Sequence, residues 1–132
     1  MLSMFKKLMG HHDEDHEGIK TPTHEEGTFV LEYAGLVIGY LTLQAGKWTF
    51  QYTPAFIAQT DVQPLVDFPD PNKTYRSSEL WPFFMARIPS VAQPEVLQTI
   101  KAEGLDEHSA VQLLRRFGRT TISNPFVLVE SA

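Results

Sequence analysis

The stretch LWPFFMARIP, residues 80–89, determines how the rest of the chain is arranged, because it combines three aromatic side chains with two prolines. Pro82 is tolerated only in the first turn of a helix, and Pro89 ends the helix at the residue before it. Between them, Phe84 and Ile88 lie four residues apart and share one face. We therefore predict a short helix of about two turns whose apolar face nucleates the core.

Two side chains of this segment do not fit a purely internal role. Trp81 stands at the junction of loop and helix, where a large side chain can project, and Trp is favoured at binding interfaces. Arg87 lies on the polar side of the predicted helix, and we expect it to reach water.

The composition indicates one globular domain. The chain has 132 residues, of which 42% are hydrophobic and 20% are charged, as in proteins with a single packed core. Its 11 basic and 16 acidic residues give a net charge of −5, which argues against direct binding of nucleic acid. The absence of cysteine fits a cytoplasmic protein without disulfides. No apolar run has the length of a membrane span.

Residues 1–27 are predicted to form a flexible polar tail, so that the folded domain comprises residues 28–132. Within the tail, the run HHDEDHE at 11–17 contains imidazole and carboxylate groups, which are common ligands of zinc and nickel. Adjacent residues of a polar run rarely converge on one ion, and this run has no second shell. We interpret it as a solvated linker and predict no metal, no cofactor and no small-molecule substrate. A metal-dependent activity is the less favoured alternative.

From Thr28 onward the hydrophobic pattern has the period of two that is typical of strands. The predicted strands are residues 28–33, 36–43, 48–52 and, near the C-terminal end, 126–129. Turns at Ala34-Gly35 and at 44–47 join the first three strands into an antiparallel meander. Gly39, inside the second strand, indicates a bulge or a close approach of another backbone.

The segment of residues 53–75 contains four prolines and cannot form a long helix. We expect it to wrap the sheet and to be anchored there by its apolar residues, which are Phe56, Ile57, Leu65, Val66 and Phe68. Asp67 and Asp70 have no accompanying base or nucleophile at a recognisable spacing, so we predict no catalytic role for them.

Two further helices follow the segment at 80–89. One begins at Pro94 and ends at Gly104, and the next is capped by Asp106 and ends at Gly118 in the left-handed conformation. Three arginines cluster at the end of the second helix: Arg115, Arg116 and Arg119. They complement the helix dipole or, as the alternative, meet an acidic surface of a partner.

Together these patterns predict an α+β fold. A small antiparallel sheet, made of the meander and the C-terminal strand, packs with about three short helices. The sequence contains no glycine-rich phosphate loop, no Ser-His-Asp spacing and no carboxylate pair. We therefore predict that the chain is not an enzyme.

Five segments resemble landmarks of the N-terminal subdomain of HipA-type serine/threonine kinases, and together they extend from about Phe29 to Val129. They are FQYTPAF at 50–56, Pro64-Leu65 with Phe68-Pro69, Tyr75, Phe83-Phe84 with Ile88-Pro89, and LLRRFGR at 113–119. In that family the subdomain is a non-catalytic lobe packed on the kinase, and this chain carries none of the kinase's catalytic residues.

The resemblance implies a function in protein binding. The chain looks like the small antitoxin component of three-gene toxin–antitoxin systems related to HipA, in which the lobe is encoded apart from the kinase and restrains it. The implied partner is a HipA-like kinase encoded nearby, and the resemblance leaves open whether a DNA-binding antitoxin subunit joins them. The alternative is a general protein-interaction domain that has this fold without a toxin partner.

The chain departs from the family pattern at four places. Arg87 stands where an apolar residue is usual, Ser90 where Glu is frequent and Thr120 where Asp follows Gly-Arg, while Asn124-Pro125 lies near the usual Gly-Ala. An arginine at an apolar position suggests that its face meets a partner or solvent, and aromatic residues and Arg dominate binding hot spots. The predicted partner-binding residues are Trp81, Arg87, Arg115, Arg116 and Arg119.

Overall fold

The computed structural model describes residue 16 and residues 18–131, and this part of the chain contains five strands and four helices. The strands are β1 (Gly27–Tyr33), β2 (Leu36–Gln44), β3 (Lys47–Tyr52), β4 (Tyr75–Ser77) and β5 (Val127–Glu130). The helices are α1 (Pro54–Ile57), α2 (Pro82–Met85), α3 (Pro94–Glu103) and α4 (Ala110–Phe117). All strand pairs are antiparallel, in the order β4-β3-β2-β1-β5. The predicted α+β fold, with a meander and a C-terminal strand, is confirmed.

Two-residue turns join the strands of the meander, as the sequence predicts. The φ angles are 51° at Ala34 and 84° at Gly35 in the first turn, and 51° at Ala45 and 75° at Gly46 in the second. Positive φ at both positions matches the twist of the flanking strands. Glycine adopts this conformation freely, whereas the Cβ of alanine resists it. Each turn therefore contains one strained residue.

Gly39 lies beside a bulge and is also closely approached by β3, so both of the alternatives that the sequence indicates are present. The pairing of β1 with β2 changes register beside it and leaves Ile38 as the extra residue of a bulge. A Cβ at Gly39 would lie 2.6 Å from Cζ of Phe50 and 2.7 Å from the carbonyl oxygen of Gln51. Only glycine fits this position without displacing β3.

The core lies between the sheet and the helices and is centred on aromatic rings. Phe50 of β3 stacks on Phe68 with a centroid distance of 4.3 Å. Phe84 of α2 lies 5.7 Å from Phe50 and 6.0 Å from Phe68. All three side chains are completely buried, and Ile88 is nearly so. The predicted core role of residues 80–89 is therefore confirmed, although α2 ends at Met85 and is shorter than two turns.

Tyr52 fixes the segment of residues 53–75, which we call the proline-rich loop, to the sheet. Its hydroxyl donates a hydrogen bond to the carbonyl of Phe68 at 2.7 Å and accepts one from the N–H of Leu65 at 2.8 Å. The pKa of Tyr52 is raised to about 12, mainly because burial desolvates the hydroxyl. The hydrogen bond from Leu65 lowers this pKa, and the nearby Tyr75 raises it. The loop is thus held by a buried polar group as well as by apolar anchors.

The loop contains more structure than the sequence predicts. The one-turn helix α1 and the edge strand β4 both lie within or next to residues 53–75. Three of the expected anchors are buried: Phe56, Leu65 and Phe68. The expectation is wrong for Ile57 and Val66, whose side chains are 45% and 95% exposed.

Residues 18–26, which belong to the predicted tail, pack on the domain. Lys20 forms an isolated parallel bridge with Ser109. The indole N–H of Trp48 donates a hydrogen bond to the hydroxyl of Thr21 at 2.9 Å. These residues therefore contact the folded domain. The boundary between tail and domain at residue 28 stays a prediction, and residues 1–15 and 17 lie outside the described part of the chain.

The ends of the two longer helices agree only partly with the prediction. Helix α3 ends as predicted, at Gly104 with φ 65°. Helix α4 begins after Ser109 and not after Asp106, because the Ser109 hydroxyl accepts a hydrogen bond from the third helical N–H at 3.3 Å. Gly118 has φ −89°, so the predicted left-handed exit is wrong. A Cβ there would lie 2.6 Å from the carbonyl oxygen of Leu114, which explains the glycine by close packing.

Candidate functional site

An open groove of about 680 Å³ lies where the end of β1, the proline-rich loop, the first turn of α2 and the approach to β5 meet. Its size is that of a small ligand or a few protein side chains. We call it the aromatic groove. It is lined by Tyr33, Asp61, Val62, Gln63, Pro64, Leu65, Val66, Asp67, Pro82, Phe83, Pro125 and Phe126.

Three aromatic rings form a connected row in the groove. The ring of Phe126 lies edge-on to Tyr33 at 5.4 Å and to Phe83 at 6.0 Å, measured between centroids. Successive residues of a helix point in different directions, so Phe83 lines the groove while Phe84 is buried in the core. The row is therefore built on the same helical turn that organises the core.

Two carboxylates border the apolar surface. The carboxylate of Asp67 accepts a hydrogen bond from the N–H of Phe83 at 2.8 Å, and Trp81, at the N-cap of α2, makes no side-chain cap of its own. Asp67 thus satisfies a free N–H at the start of the helix. Asp61 is exposed in the same loop. Among residues 16 and 18–131, no Lys, Arg or His lines the groove.

Arg87 lies inside the protein, contrary to the expectation that it reaches water, and its role in partner binding stays a prediction. Its side chain is 3% exposed. The guanidinium donates hydrogen bonds to the carbonyls of Gly118 at 2.7 Å, Arg119 at 3.1 Å and Phe126 at 2.6 Å. Desolvation lowers the pKa of Arg87. A buried polar group of this kind is stable only because its donors are paired, and here the acceptors belong to the same chain.

Arg87 and Asn124, two of the positions at which the resemblance implies a different residue, meet at this point. Nη1 of Arg87 donates a hydrogen bond to Oδ1 of Asn124 at 3.4 Å, and the same oxygen accepts the N–H of Phe126 at 3.1 Å. Glycine or alanine at position 124 would offer no side-chain acceptor. Arg87 and Asn124 therefore form one unit that fixes the approach to β5 and, with it, the Phe126 wall of the aromatic groove.

Trp81 lies beside the groove but is not among its lining residues. Its ring is half-buried and lies edge-on to Phe68 with a centroid distance of 4.9 Å. Trp81 therefore supports the core with one part of its ring and presents the rest to solvent. Its role in partner binding stays a prediction.

The arginine cluster lies at the end of α4, away from the groove lining. Arg115 forms an ion pair with Glu130, and Arg116 forms one with Glu103 at 2.8 Å. Arg119 is exposed, although its backbone carbonyl binds the buried guanidinium described above. Exposed pairs of this type contribute little to stability. The structure does not bring these side chains to the groove, and their role in partner binding also stays a prediction.

The histidine run falls largely outside the described part of the chain, which includes only His16 of its three imidazoles. Nε2 of His16 lies 2.7 Å from the carbonyl oxygen of Ile88. Among residues 16 and 18–131, no group of three His, Cys, Asp or Glu side chains is placed to hold a metal ion. The helices described in the same residues are all too short or too polar to cross a bilayer.

The fold and the groove define a small α+β domain with an exposed aromatic surface. The HipA N-terminal domain family matches residues 31–123, and the chain therefore belongs to this family. A solved structure described as the N-terminal domain of HipA toxin is similar, with a TM-score of 0.56 and 17% identity, over 80% of this chain and 93% of that chain. This second similarity shows the common fold. No curated protein sequence matches the chain.

The comparisons confirm the resemblance that the sequence landmarks suggest. The matched region is the N-terminal domain of HipA and does not include a kinase catalytic domain.

Sequence reasoning missed three contributors to the groove: Tyr33, Asp61 and Phe126. Tyr33 and Phe126 lie at strand ends and are far apart in the chain, so their proximity appears only once β5 pairs with β1. A usable signal was present in Pro125, because a proline directly before a predicted strand is typical of a strand at the edge of a sheet.

Proposed function

We propose that this chain is a non-catalytic binding module that docks on a separately encoded HipA-like serine/threonine kinase and restrains it, as an antitoxin does. The observation that carries the proposal is membership of the HipA N-terminal domain family over residues 31–123. The resemblance implies that this lobe packs on a kinase, and a lobe that binds without catalysing can act only through its contacts.

The surface chemistry of the domain supports a binding role. The aromatic groove exposes apolar surface to solvent, and exposed apolar surface of this kind marks interaction sites. In the part of the chain that the structure describes, the groove is lined by two carboxylates and by neither a lysine nor a glycine. Such a lining repels a triphosphate and cannot cradle it.

The mechanism we propose is steric. A kinase must close its lobes around ATP and substrate before phosphoryl transfer can occur. A rigid domain bound at the junction of the lobes would hold them apart without touching the reacting atoms.

The test uses the full-length chain and the HipA-like kinase encoded next to it. We expect the two proteins to co-purify, and we expect the chain to reduce the rate of kinase autophosphorylation in proportion to the fraction bound. An unrelated acidic protein of similar size serves as the control. Binding without any loss of kinase activity would favour the general interaction domain, and failure to bind would overturn the proposal.

A second measurement addresses catalysis by the chain itself. We expect no heat of binding on titration with ATP and magnesium, and no transfer of phosphate from labelled ATP by the purified protein. ATP binding at micromolar affinity, on the order of −8 kcal/mol, would contradict a purely non-catalytic role.

A further inference from the structure

The aromatic groove leaves apolar side chains partly exposed to solvent. Val66 is 95% exposed at its edge, and Tyr33, Phe83 and Phe126 are only half-buried. A valine in this position gains nothing from folding, because its transfer from water never takes place. Aromatic side chains are enriched in binding surfaces.

The charges at the groove have one sign. Of the residues that the structure describes, Asp61 and Asp67 are the two charged ones in its lining. Arg87 lies 5.8 Å from the ring centroid of Phe83, but its side chain is only 3% exposed. A ligand in the groove would therefore meet the carboxylates and not the guanidinium. Such a surface attracts a basic group and repels an acidic one.

Both walls of the groove are fixed before any ligand arrives. On the loop side, the hydroxyl of Tyr52 binds the backbone of Leu65 and Phe68. On the β5 side, the guanidinium of Arg87 binds the carbonyl of Phe126. A preformed surface does not lose conformational entropy on binding, which favours affinity.

We propose that the aromatic groove binds an apolar segment of the kinase partner that carries a Lys or Arg residue. This inference rests on the proposed function and identifies the surface and the chemistry of the contact. Apolar side chains of the segment cover Val66, Phe83 and Phe126, and its basic group pairs with Asp61 at the edge. The arginine cluster on α4, which would suit an acidic partner, lies outside this contact.

Val66 gives a clean test because its side chain lies almost wholly in solvent. In the full-length protein, Val66→Asp places a charge in the groove, and Ile122→Asp places the same charge at a second fully exposed apolar residue, 107% exposed and outside the groove lining. The affinity of each variant for the kinase encoded by the adjacent gene is measured by calorimetry. We expect Val66→Asp to weaken binding by about 10-fold or more and Ile122→Asp by less than about 2-fold.

The basic group of the partner is tested by charge reversal. Asp61→Lys should weaken kinase binding at low salt, and the loss should shrink as the salt concentration rises and screens the exposed charges. Glu107→Lys is the matched control, because it makes the same change of charge on an exposed side chain outside the groove lining. Equal effects of the two variants would show a general effect of net charge and overturn the proposed pairing.

The outcomes separate this inference from the proposed function. If the wild-type chain binds the kinase and Val66→Asp binds equally well, the groove is not the contact and the inference fails while the function stands. If the wild-type chain does not bind, both fail. If Val66→Asp instead abolishes self-association of the chain in sedimentation, the groove joins two copies and the assignment to the kinase is overturned.

Discussion

Phe83 and Phe84 are adjacent in the sequence, yet they belong to different parts of the molecule. Phe84 is completely buried and contacts Phe50 and Phe68 in the core. Phe83 is half-buried and lines the aromatic groove with Phe126. The single turn of α2 therefore joins the part that holds the fold together to the part that we propose binds the partner.

The difference shows why burial in this segment does not follow from residue type. Both side chains are phenylalanine, but only one faces the sheet. Between the two regions lies Arg87, a charged residue that is more deeply buried than Phe83. Its position is set by three backbone carbonyls and not by hydrophobicity. The core and the groove can consequently be perturbed one at a time.

The largest expected effect is on stability, when the side chain of α2 that faces the core is truncated. Phe84→Ala should lower the free energy of unfolding by about 3–5 kcal/mol, because it leaves a cavity among the rings of Phe50 and Phe68. Phe83→Ala should cost about 1 kcal/mol, because its ring already contacts solvent. Denaturant unfolding of the full-length variants measures both values. Equal losses would mean that the two sides of α2 are not distinct.

The connection between the regions is tested at Arg87. Arg87→Met keeps most of the side-chain volume but removes the donor to the carbonyls of Gly118 and Phe126, while the carbonyl of Arg119 still accepts the N–H of Leu128. This change should cost about 2–4 kcal/mol by the usual penalty for unpaired buried groups. Arg119→Met removes an exposed guanidinium and should change stability by less than about 0.5 kcal/mol. If thermal unfolding shows no difference between the variants, the hydrogen bonds of Arg87 do not support the fold.

The loop wall of the groove depends on Tyr52, and this dependence can be followed by pH. The folded-state pKa of Tyr52 is raised to about 12 from the ordinary value of 10.0. Its contribution to stability is therefore complete below pH 10 and is lost as the pH rises through 12, because the unfolded chain loses the proton first.

The matched variant is Tyr52→Phe. It should be less stable than the wild type by about 1–2 kcal/mol at neutral pH, since two hydrogen bonds are removed. Between pH 10 and about pH 12, the melting temperature of the variant should also fall less steeply than that of the wild type. Parallel curves for the two proteins would contradict the burial of this hydroxyl as the cause.

The smallest expected effect is a gain in stability at the hairpin turns. Ala34 and Ala45 both have φ 51°, and asparagine tolerates this conformation better than alanine. Each change to Asn should stabilise the domain by about 0.5 kcal/mol. Ala34 follows the groove residue Tyr33, whereas Ala45 lies in the other turn. Equal gains in the denaturant midpoint of the two variants would therefore show that the strain is local to the turns.

The sequence predicts the elements with strong local signals. The two hairpin turns, the bulge at Gly39, the proline start of α2 and the end of α3 at Gly104 all follow from the conformational limits of glycine and proline. The predictions at Asp106 and Gly118 are wrong, because the cap of α4 and the reason for its final glycine depend on which groups approach from elsewhere in the fold.

The aromatic groove could be predicted only in part. The segment at 80–89 supplies Phe83, and its importance is visible in the sequence. By residue type alone, Arg87 is expected to be exposed. It is buried because its acceptors come from residues 118–126, which are assembled only when β5 pairs with β1. Val66 appears to be an anchor by its hydrophobicity, although the fold leaves it in solvent. The burial of Arg87 depends on contacts between distant parts of the chain, and the exposure of Val66 has no local signature in the sequence.

Hydrogen exchange of the full-length protein, with and without the HipA-like kinase encoded beside it, tests the central claim most directly. We predict that the kinase slows exchange in peptides that cover residues 61–67 and 124–127, while peptides from α3 exchange at the same rate in both samples. Protection confined to residues 115–119 would place the contact on the arginine cluster. Unchanged exchange throughout the chain, at kinase concentrations well above that of the protein, would contradict the account.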